Sequence, residues 1–270
     1  MYNIFRMLTA RTADKYVLYR KSVQTPDSDA RFLARYYRKM TGKPLRRLRE
    51  DFCGTAGLVC EFVKLHRNNH GIGVDLDPEP LRWCADHLVP QLKKQQQSRV
   101  NLIRRDVTRI RSPKVELIAA LNFSYSGFHK RSELIGYFKS VRRSLTPGGV
   151  FAMDAHGGRE VPETGTETWN LRTFRYVWDV RGFDPASHRL LCRMHFVFPD
   201  GSKMRDAFVY DWRLWTLPEL REALEDAGFR NQHILWETMD SRTGMGNGRM
   251  RRVERGRMEG AWYAMILCQA

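Results

Sequence analysis

Cysteine, long apolar runs and a leader-like start are scarce or missing in this sequence of 270 residues. The five cysteines are scattered without a Cys-x-x-Cys pair, which argues against a disulfide framework and against a zinc site. No segment approaches the run of roughly 18 apolar residues that crosses a bilayer. Residues 1–8 hold no apolar core of a signal peptide. We therefore expect a cytoplasmic protein that holds no metal and does not bind membranes.

Negative charge is scarce relative to positive charge. Lys and Arg number 46 against 30 Asp and Glu, which gives a net charge of +16 at pH 7. A surface this basic attracts nucleic acid or acidic substrates. The basic residues nevertheless form short clusters along the chain, for example at 46–49, 104–105, 142–143 and 249–252, and such clusters are typical of solvated helix faces. A nucleic-acid partner therefore stays open as the alternative to a small-molecule partner.

Residues 46–77 have the pattern of a strand, a glycine-containing turn, a helix and a second strand. Glu50 closes the first strand, Gly54 and Gly57 lie in the turn, and Asp75 ends the second strand. An acidic residue about 20 positions beyond such a turn commonly holds a ribose hydroxyl pair. Glycine lets the backbone approach a nucleoside closely, and the N–H groups that open a helix favour electron-rich groups. The segment therefore predicts a site for an adenosine-containing cofactor.

The glycine spacing argues against a dinucleotide. The dinucleotide fingerprint is Gly-x-Gly-x-x-Gly, whose second glycine lies against the pyrophosphate. Residues 54–57 read Gly-Thr-Ala-Gly instead. An NAD-dependent oxidoreductase is therefore not expected.

The same turn resembles the first motif of the class I S-adenosylmethionine-dependent methyltransferases, an acidic residue followed by three alternating glycines. Aligned on residues 53–55, Glu50 takes the acidic position, while Phe52 and Ala56 replace the first and third glycines. The resemblance implies a Rossmann-like fold and S-adenosylmethionine as the cofactor.

Later motifs of that superfamily follow in the expected order. Arg-Asp-Val at 105–107 comes after the third predicted strand, and Asn-Phe-Ser-Tyr at 122–125 comes after the fourth. Leu-Thr-Pro-Gly-Gly-Val-Phe at 145–151 matches the turn before the fifth strand. Residues 210–220 and 244–248 also resemble an uncharacterised bacterial group within the superfamily, so the resemblance covers nearly the whole chain and leaves the acceptor undetermined.

The resemblance implies a set of cofactor-binding residues, namely Glu50, Cys53, Gly54, Thr55, Gly57, Asp75, Leu76, Asp106, Val107, Asn122 and Phe123. Residues 122–125 look like the Asn-Pro-Pro-Tyr motif of amino methyltransferases without its prolines. Asn122 and Tyr125 would then meet a small amine rather than a nucleobase. The alternative is that Asn122 and Ser124 cap the following turn while Phe123 lines the adenine.

Methyl transfer from a sulfonium is an in-line displacement that depends on positioning and needs a base only if the acceptor starts protonated. His129 and His156 follow the fourth and fifth strands, and either is a candidate base because the histidine pKa lies near working pH. We assign His156 to the catalytic set with Asn122 and Tyr125. Asp154 is a candidate for orienting the acceptor.

Alternating strands and helices over residues 46–155 predict an α/β core with a mostly parallel, seven-stranded sheet and helices on both faces. The other segments are a helical lid at 1–45, an antiparallel β insert over the substrate at 156–213, and a helix and hairpin at 214–270 that complete the core. The core strands are expected near 46–51, 70–75, 100–104, 115–121 and 149–155, and the core helices near 56–67, 78–89 and 130–145. The insert strands are expected at 174–183, 188–198 and 203–212, and the stretch 243–256 as a surface loop or an anion-binding flap.

We therefore expect an S-adenosylmethionine-dependent methyltransferase that acts on a small molecule, at nitrogen, by direct in-line transfer. One alternative is an RNA methyltransferase, which the basic charge favours. The other is a non-catalytic S-adenosylmethionine-binding protein, which the altered first motif allows.

Overall fold

The computed structural model describes residues 8–240, 242, 246–257 and 260–270. Within this part the chain forms two compact units, one of residues up to 24 together with 159–214, and a larger one of residues 25–158 together with 215–270. The boundary at residue 24 falls within the segment 1–45, which the sequence predicted as a helical lid. None of the helices in the described part is long and apolar enough to span a membrane.

The helices are α1 (Lys15–Val23), α2 (Pro26–Thr41), α3 (Gly57–Leu65), α4 (Pro78–His87), α5 (Lys94–Gln97), α6 (Arg131–Ser144) and α7 (Leu217–Asp226). The strands are β1 (Arg47–Asp51), β2 (His70–Asp75), β3 (Val100–Arg104), β4 (Val115–Ala120), β5 (Leu145–Gly157), β6 (Gly165–Leu171), β7 (Phe174–Asp184), β8 (Arg189–Val197), β9 (Lys203–Arg213), β10 (Arg230–Met239), β11 (Gly246–Arg252) and β12 (Trp262–Gln269). Short 3₁₀ turns lie at Val89–Gln91, Val107–Arg109 and Ser124–Gly127. The predicted core helices correspond to α3, α4 and α6.

The larger unit contains one sheet with the strand order β11-β10-β12-β5-β4-β1-β2-β3. Strands β1 to β5 pair in parallel, and β12, β10 and β11 extend the sheet by antiparallel pairing. This confirms the predicted α/β class. The sheet has one strand more than predicted, because β11 lies in the stretch 243–256 that was expected to be a loop; residues 243–245 lie outside the described part.

The strand order reverses between β1 and β4, and a reversal of this kind opens a crevice at the carboxyl ends of the strands. Strand β4 is apolar over most of its length and mostly buried, as expected for the centre of a sheet covered on both faces. Strand β5 begins four residues before the predicted position 149, and its pairing with β4 shifts register between Val115 and Leu117. The Pro-Gly-Gly turn is therefore built into the start of the strand as an irregularity.

Glycines in β2 allow α3 to pack directly on the sheet. A Cβ atom added at Gly71 would lie 2.6 Å from Cγ1 of Val59 on α3, closer than side-chain atoms approach each other. Side chains alternate between the two faces of a strand, so His70 and Ile72 point away from α3. The Gly-x-Gly pattern of this strand thus reflects helix packing.

The smaller unit contains the antiparallel sheet β6-β7-β8-β9. Its buried side chains, among them Tyr176, Met194 and Phe196, pack with Leu18 of α1, which is 1% exposed. Ion pairs such as Arg193–Asp206 lie where both side chains are largely solvated. The predicted insert strands correspond to β7, β8 and β9, and β6 is an additional edge strand that the sequence analysis missed.

The larger unit buries an ion pair at its centre. Arg49 and Asp51 lie two positions apart on β1, and their side chains therefore share a face of the sheet. Nε of Arg49 lies 2.8 Å from Oδ1 of Asp51, with side-chain exposures of 1% and 0%. The Tyr137 hydroxyl of α6 donates a hydrogen bond of 3.1 Å to Oδ2 of Asp51. Burial raises the pKa of Asp51, and the Arg49 guanidinium opposes that shift.

Replacing Asp51 by alanine should lower the free energy of unfolding of the larger unit by about 3–5 kcal/mol, because the Arg49 guanidinium would stay buried without its counter-charge. The matched control is Asp226→Ala, which breaks an ion pair with Arg131 whose side chains are 51% and 46% exposed. Loss of such a surface pair changes stability by about 1 kcal/mol or less. Urea denaturation followed by circular dichroism measures both variants, and equal losses would contradict the role given to the buried pair.

Candidate functional site

The predicted site residues gather at the carboxyl edge of the larger sheet, on both sides of the strand reversal. Glu50 lies near the end of β1 and Asp75 ends β2. Asn122 follows β4, and Asp154 lies within β5. The expected clustering of these side chains therefore follows from the strand order.

The turn after β1 keeps a glycine-like backbone although two glycines of the motif are replaced. Phe52, Gly54 and Ala56 have φ angles of 55°, 50° and 49°. These angles suit glycine and cost other residues about 1 kcal/mol or more. Backbone hydrogen bonds from Cys53 to Val74 (3.0 Å) and from Ala56 to Cys53 (2.7 Å) hold the turn. The positions that correspond to glycines in the motif thus have the conformation that glycine favours.

Asp75 holds this turn through its carboxylate. Its Oδ2 accepts a hydrogen bond of 2.7 Å from the backbone N–H of Gly54, and its Oδ1 accepts one of 2.9 Å from the backbone N–H of Asp77. The next residue, Leu76, is 68% exposed. A fixed carboxylate beside an exposed apolar side chain matches the two halves of a nucleoside, a polar sugar and an apolar base.

Two buried oxygens in this region have no hydrogen-bond partner within the described residues. They are Oε2 of Glu50 and Oγ1 of Thr55, on residues that are 5% and 3% exposed. Buried polar atoms are nearly always paired, so these oxygens are suited to a polar ligand. Burial, the Cys60 thiol and nearby carboxylates raise the pKa of Glu50 well above its usual range. Cys53 is buried and Gly57 begins α3.

The third predicted motif lies next to Asp75. The backbone N–H of Arg105 donates to the carbonyl of Asp75 at 2.9 Å, which holds the segment after β3 against the end of β2. Oδ1 of Asp106 accepts hydrogen bonds from the backbone N–H and the hydroxyl of Thr108, at 2.8 and 2.7 Å. Val107 is buried. Asp106 therefore caps its own turn through one oxygen.

The turn after β4 is held by a second carboxylate. Asn122 and Phe123 both have φ of 57°. Their backbone N–H groups donate to Oδ2 and Oδ1 of Asp154, at 2.7 and 2.9 Å. The Ser124 hydroxyl donates to the carbonyl of Leu121 at 2.8 Å. Ser124 therefore bonds the segment before it, and the 3₁₀ turn Ser124–Gly127 has no side-chain cap hydrogen bond.

His156 is packed against Phe123 and is not tuned to act as a base at neutral pH. The two rings are stacked, with centroids 4.0 Å apart and an interplanar angle of 11°. Burial lowers the pKa of His156 to about 4. The histidine is therefore neutral at pH 7, and the expectation that its pKa lies near working pH needs correction. Tyr263 of β12 pairs with His156 across the sheet and was missed because its position depends on strand register.

Tyr125 lies in the hydrophobic core. It is 2% exposed and packs in the cluster that includes Tyr137 and Phe151. Burial raises the pKa of its hydroxyl well above the usual range. Tyr125 is thus buried within the 3₁₀ turn Ser124–Gly127, and its hydroxyl interacts electrostatically with Asp154, the residue that holds the backbone of Asn122.

Asp29, in the first turn of α2, is an acidic residue that was not among the predicted site residues. Burial raises its pKa to about 6. It is close enough to Glu50 and Asp154 to raise the pKa of both carboxyls. The carboxyl edge of the sheet is therefore acidic in a chain whose net charge is +16.

Asp154 should make stability depend on pH in an unusual direction. Burial raises its pKa from 3.8 to about 7, so the folded state binds the proton more tightly than the unfolded state. Its stabilising contribution is full below the unfolded pKa and is lost as the pH rises through the folded pKa. Between about pH 5 and pH 8 this group should lower the free energy of unfolding by about 2–3 kcal/mol.

Urea midpoints at these two pH values check this prediction. The Asp154→Asn variant should lack most of this decrease in the free energy of unfolding between the two pH values. Asp200→Asn, at an exposed turn, should keep the pH dependence of the wild type. An Asp154→Asn variant with the full wild-type pH dependence would contradict the assigned pKa.

No protein-family model matches the chain, and no curated protein matches it in sequence. Solved structures do resemble it. A methyltransferase dependent on S-adenosylmethionine from Clostridium acetobutylicum ATCC 824 is similar with a TM-score of 0.67 and 17% identity, over 93% of this chain and 94% of that one. CalS10 of Micromonospora echinaspora, an amino pentose methyltransferase solved with S-adenosylmethionine bound, gives 0.66 and 16%, over 94% and 95%.

The sugar N-methyltransferase KedS8 of Streptoalloteichus sp ATCC 53650 gives a TM-score of 0.61 and 18% identity, over 95% of this chain and 93% of that one. These identities are too low to transfer an activity, but the agreement in fold extends over nearly all of each chain. The chain has the fold of the class I S-adenosylmethionine-dependent methyltransferases.

Proposed function

We propose that this protein binds S-adenosylmethionine and transfers its methyl group to a small-molecule amine. The observation that carries the proposal is the arrangement around Asp75. Its carboxylate holds the Gly54 turn, Leu76 is exposed beside it, and Glu50 has a buried oxygen without a partner in the described part of the chain.

These residues fit the cofactor in charge as well as in shape. S-adenosylmethionine carries a sulfonium and an ammonium group, and both are positive. Asp29 interacts electrostatically with both Glu50 and Asp154, and burial disfavours the charged form of each carboxyl. A cationic ligand would offset that penalty. When bound, the cofactor would supply an electrophilic methyl group to the acceptor.

On the acceptor side, we assign the turn after β4 to positioning. Asp154 fixes the backbone of Asn122 and Phe123, and the stacked His156 ring restricts the Phe123 ring. The Asn122 side chain is then the candidate contact for the acceptor. Tyr125 supports the turn from the core, and His156 positions Phe123 instead of removing a proton. An amine that binds in its neutral form needs no base.

An amino group on a sugar is the acceptor class that we propose. CalS10 is described as an amino pentose methyltransferase and KedS8 as a sugar N-methyltransferase. Similar structures also include the glycopeptide N-methyltransferase MtfA, with a TM-score of 0.54 and 16% identity. Nitrogen is the acceptor atom in the activities named for KedS8 and MtfA, which supports nitrogen here, and the acceptors named for them are a sugar and a glycopeptide.

Asp75→Asn should weaken S-adenosylmethionine binding at least about tenfold, because it removes the negative charge from a partly desolvated site. Isothermal titration with S-adenosylmethionine, S-adenosylhomocysteine and NAD measures this effect. The matched control is Asp86→Asn, the same substitution at an exposed position of α4, which should bind like the wild type. Absence of binding by the wild-type protein would overturn the proposed function.

Transfer of labelled methyl groups to a panel of amino sugars, simple amines and RNA tests the acceptor. Asn122→Ala should reduce kcat/KM for the preferred amine at least about tenfold, as expected when a contact in the transition state is lost. Asn68→Ala, an exposed asparagine far along the chain from this turn, is the control. Uptake into RNA alone would overturn the amine assignment, and cofactor binding without any transfer would support a non-catalytic binder.

A further inference from the structure

The amino edge of the larger sheet holds a second concavity, at the ends of the parallel strands opposite to the candidate cofactor site. Its volume is about 240 Å³. Its lining includes Arg47, His70, Ile72, Ser98, Arg99 and Asn101. Two arginines and one histidine are among these residues, and no aspartate or glutamate is. The lining is thus basic and otherwise neutral.

The register of the sheet brings the polar side chains of this concavity to one face. Arg47 pairs with His70 across β1 and β2, and Ile72 pairs with Asn101 across β2 and β3. Directly paired residues project to the same side of a sheet, as do residues two positions apart on one strand. Arg47, His70 and Asn101 therefore share one face with Ile72.

Arg99 gives this edge a fixed positive charge. Its Nη1 donates to the backbone carbonyls of Val63, His66 and Asn69, at 3.0, 3.0 and 2.5 Å. Its Nε donates to the carbonyl of Gln95 at 2.9 Å. Carbonyl groups satisfy hydrogen bonds of the guanidinium but carry no net charge, so the positive charge of Arg99 is held in place without being neutralised.

The other charged residues at this edge leave it with an excess of positive charge. Oε2 of Glu116 on β4 accepts the backbone N–H groups of Arg46 and Arg47, at 2.6 and 2.9 Å, so one oxygen of this carboxylate is committed to the backbone. Lys114 is exposed between two lining residues. The pKa of His66 is lowered by desolvation and then by the guanidinium groups of Arg46, Arg67 and Arg99. The potential at this edge is therefore positive.

We propose that this concavity is a binding site for the phosphate group of a small phosphorylated molecule. Guanidinium groups bind phosphate through paired, charge-assisted hydrogen bonds, and the exposed Arg47 lines the concavity together with Arg99. Ser98 and Asn101 supply neutral donors. The volume is below the roughly 300–1,000 Å³ of pockets for drug-sized ligands, which favours a phosphate monoester over a larger molecule. The site lies at the opposite ends of the strands from the acidic edge and does not depend on the proposed methyl transfer.

Isothermal titration at low ionic strength with inorganic phosphate and ribose 5-phosphate, with ribose as the uncharged comparison, tests this proposal. The wild type should bind both phosphates saturably and ribose not at all. Arg47→Gln should weaken phosphate binding at least about tenfold, the effect of losing a hydrogen bond between charged groups. The matched control is Arg249→Gln on β11, which removes the same charge from an exposed position and should bind like the wild type.

Three results would overturn the proposal. The first is no saturable binding of either phosphate. The second is an equal loss in Arg47→Gln and Arg249→Gln, which would mean unspecific attraction to a basic surface. The third is Arg47-dependent binding of a single-stranded RNA oligonucleotide without binding of the small phosphates, which would assign the edge to a polymer. Circular dichroism of both variants checks that the fold is retained, since Arg47 is exposed at the first position of β1.

Discussion

At the carboxyl edge of the larger sheet, carboxylates from neighbouring strands accept hydrogen bonds from the backbone N–H groups of two left-handed turns. The turn after β1 donates from Gly54 to Asp75 on β2, and the turn after β4 donates from Asn122 and Phe123 to Asp154 on β5. A left-handed turn at a strand end removes its N–H groups from the sheet, and buried N–H groups need acceptors. Asp75 therefore lies one strand further from the strand reversal than the turn after β1, and Asp154 lies one strand further from it than the turn after β4.

This arrangement concentrates negative charge where the sheet opens. Asp29 adds a carboxylate from α2, and burial raises the pKa of Asp29 and of Asp154, to about 6 and about 7. The opposite edge of the same sheet carries Arg47 and Arg99 around a small concavity. The strands thus separate an acidic edge, which suits a cationic cofactor, from a basic edge, which suits an anion. A net charge summed over the chain hides this division, and for that reason the basic composition alone pointed towards nucleic acid.

The order of strands and helices in the core was predictable because apolar strands, glycine turns and acidic strand ends each leave a local signal. Strands β6 and β11 were not predictable in this way. Each is an edge strand with little or no burial and a polar or glycine-rich sequence, so neither has the apolar alternation on which strand prediction depends. The burial of Tyr125 and the low pKa of His156 depend on packing between distant segments, which no local pattern reports.

Two side chains larger than glycine stand in the turn after β1, at Phe52 and Ala56, and both pack against neighbouring elements of the core. The Phe52 ring packs beside Phe128 and Tyr137, at centroid distances of 6.0 and 5.3 Å. The Ala56 methyl group lies against β2, where a Cβ added at Gly73 would come within 3.0 Å of it. A Cβ added at Gly54, by contrast, would meet no other atom within 4 Å. Both larger side chains are therefore accommodated by the core, Ala56 by the missing side chain of Gly73, and the space beside Gly54 stays open.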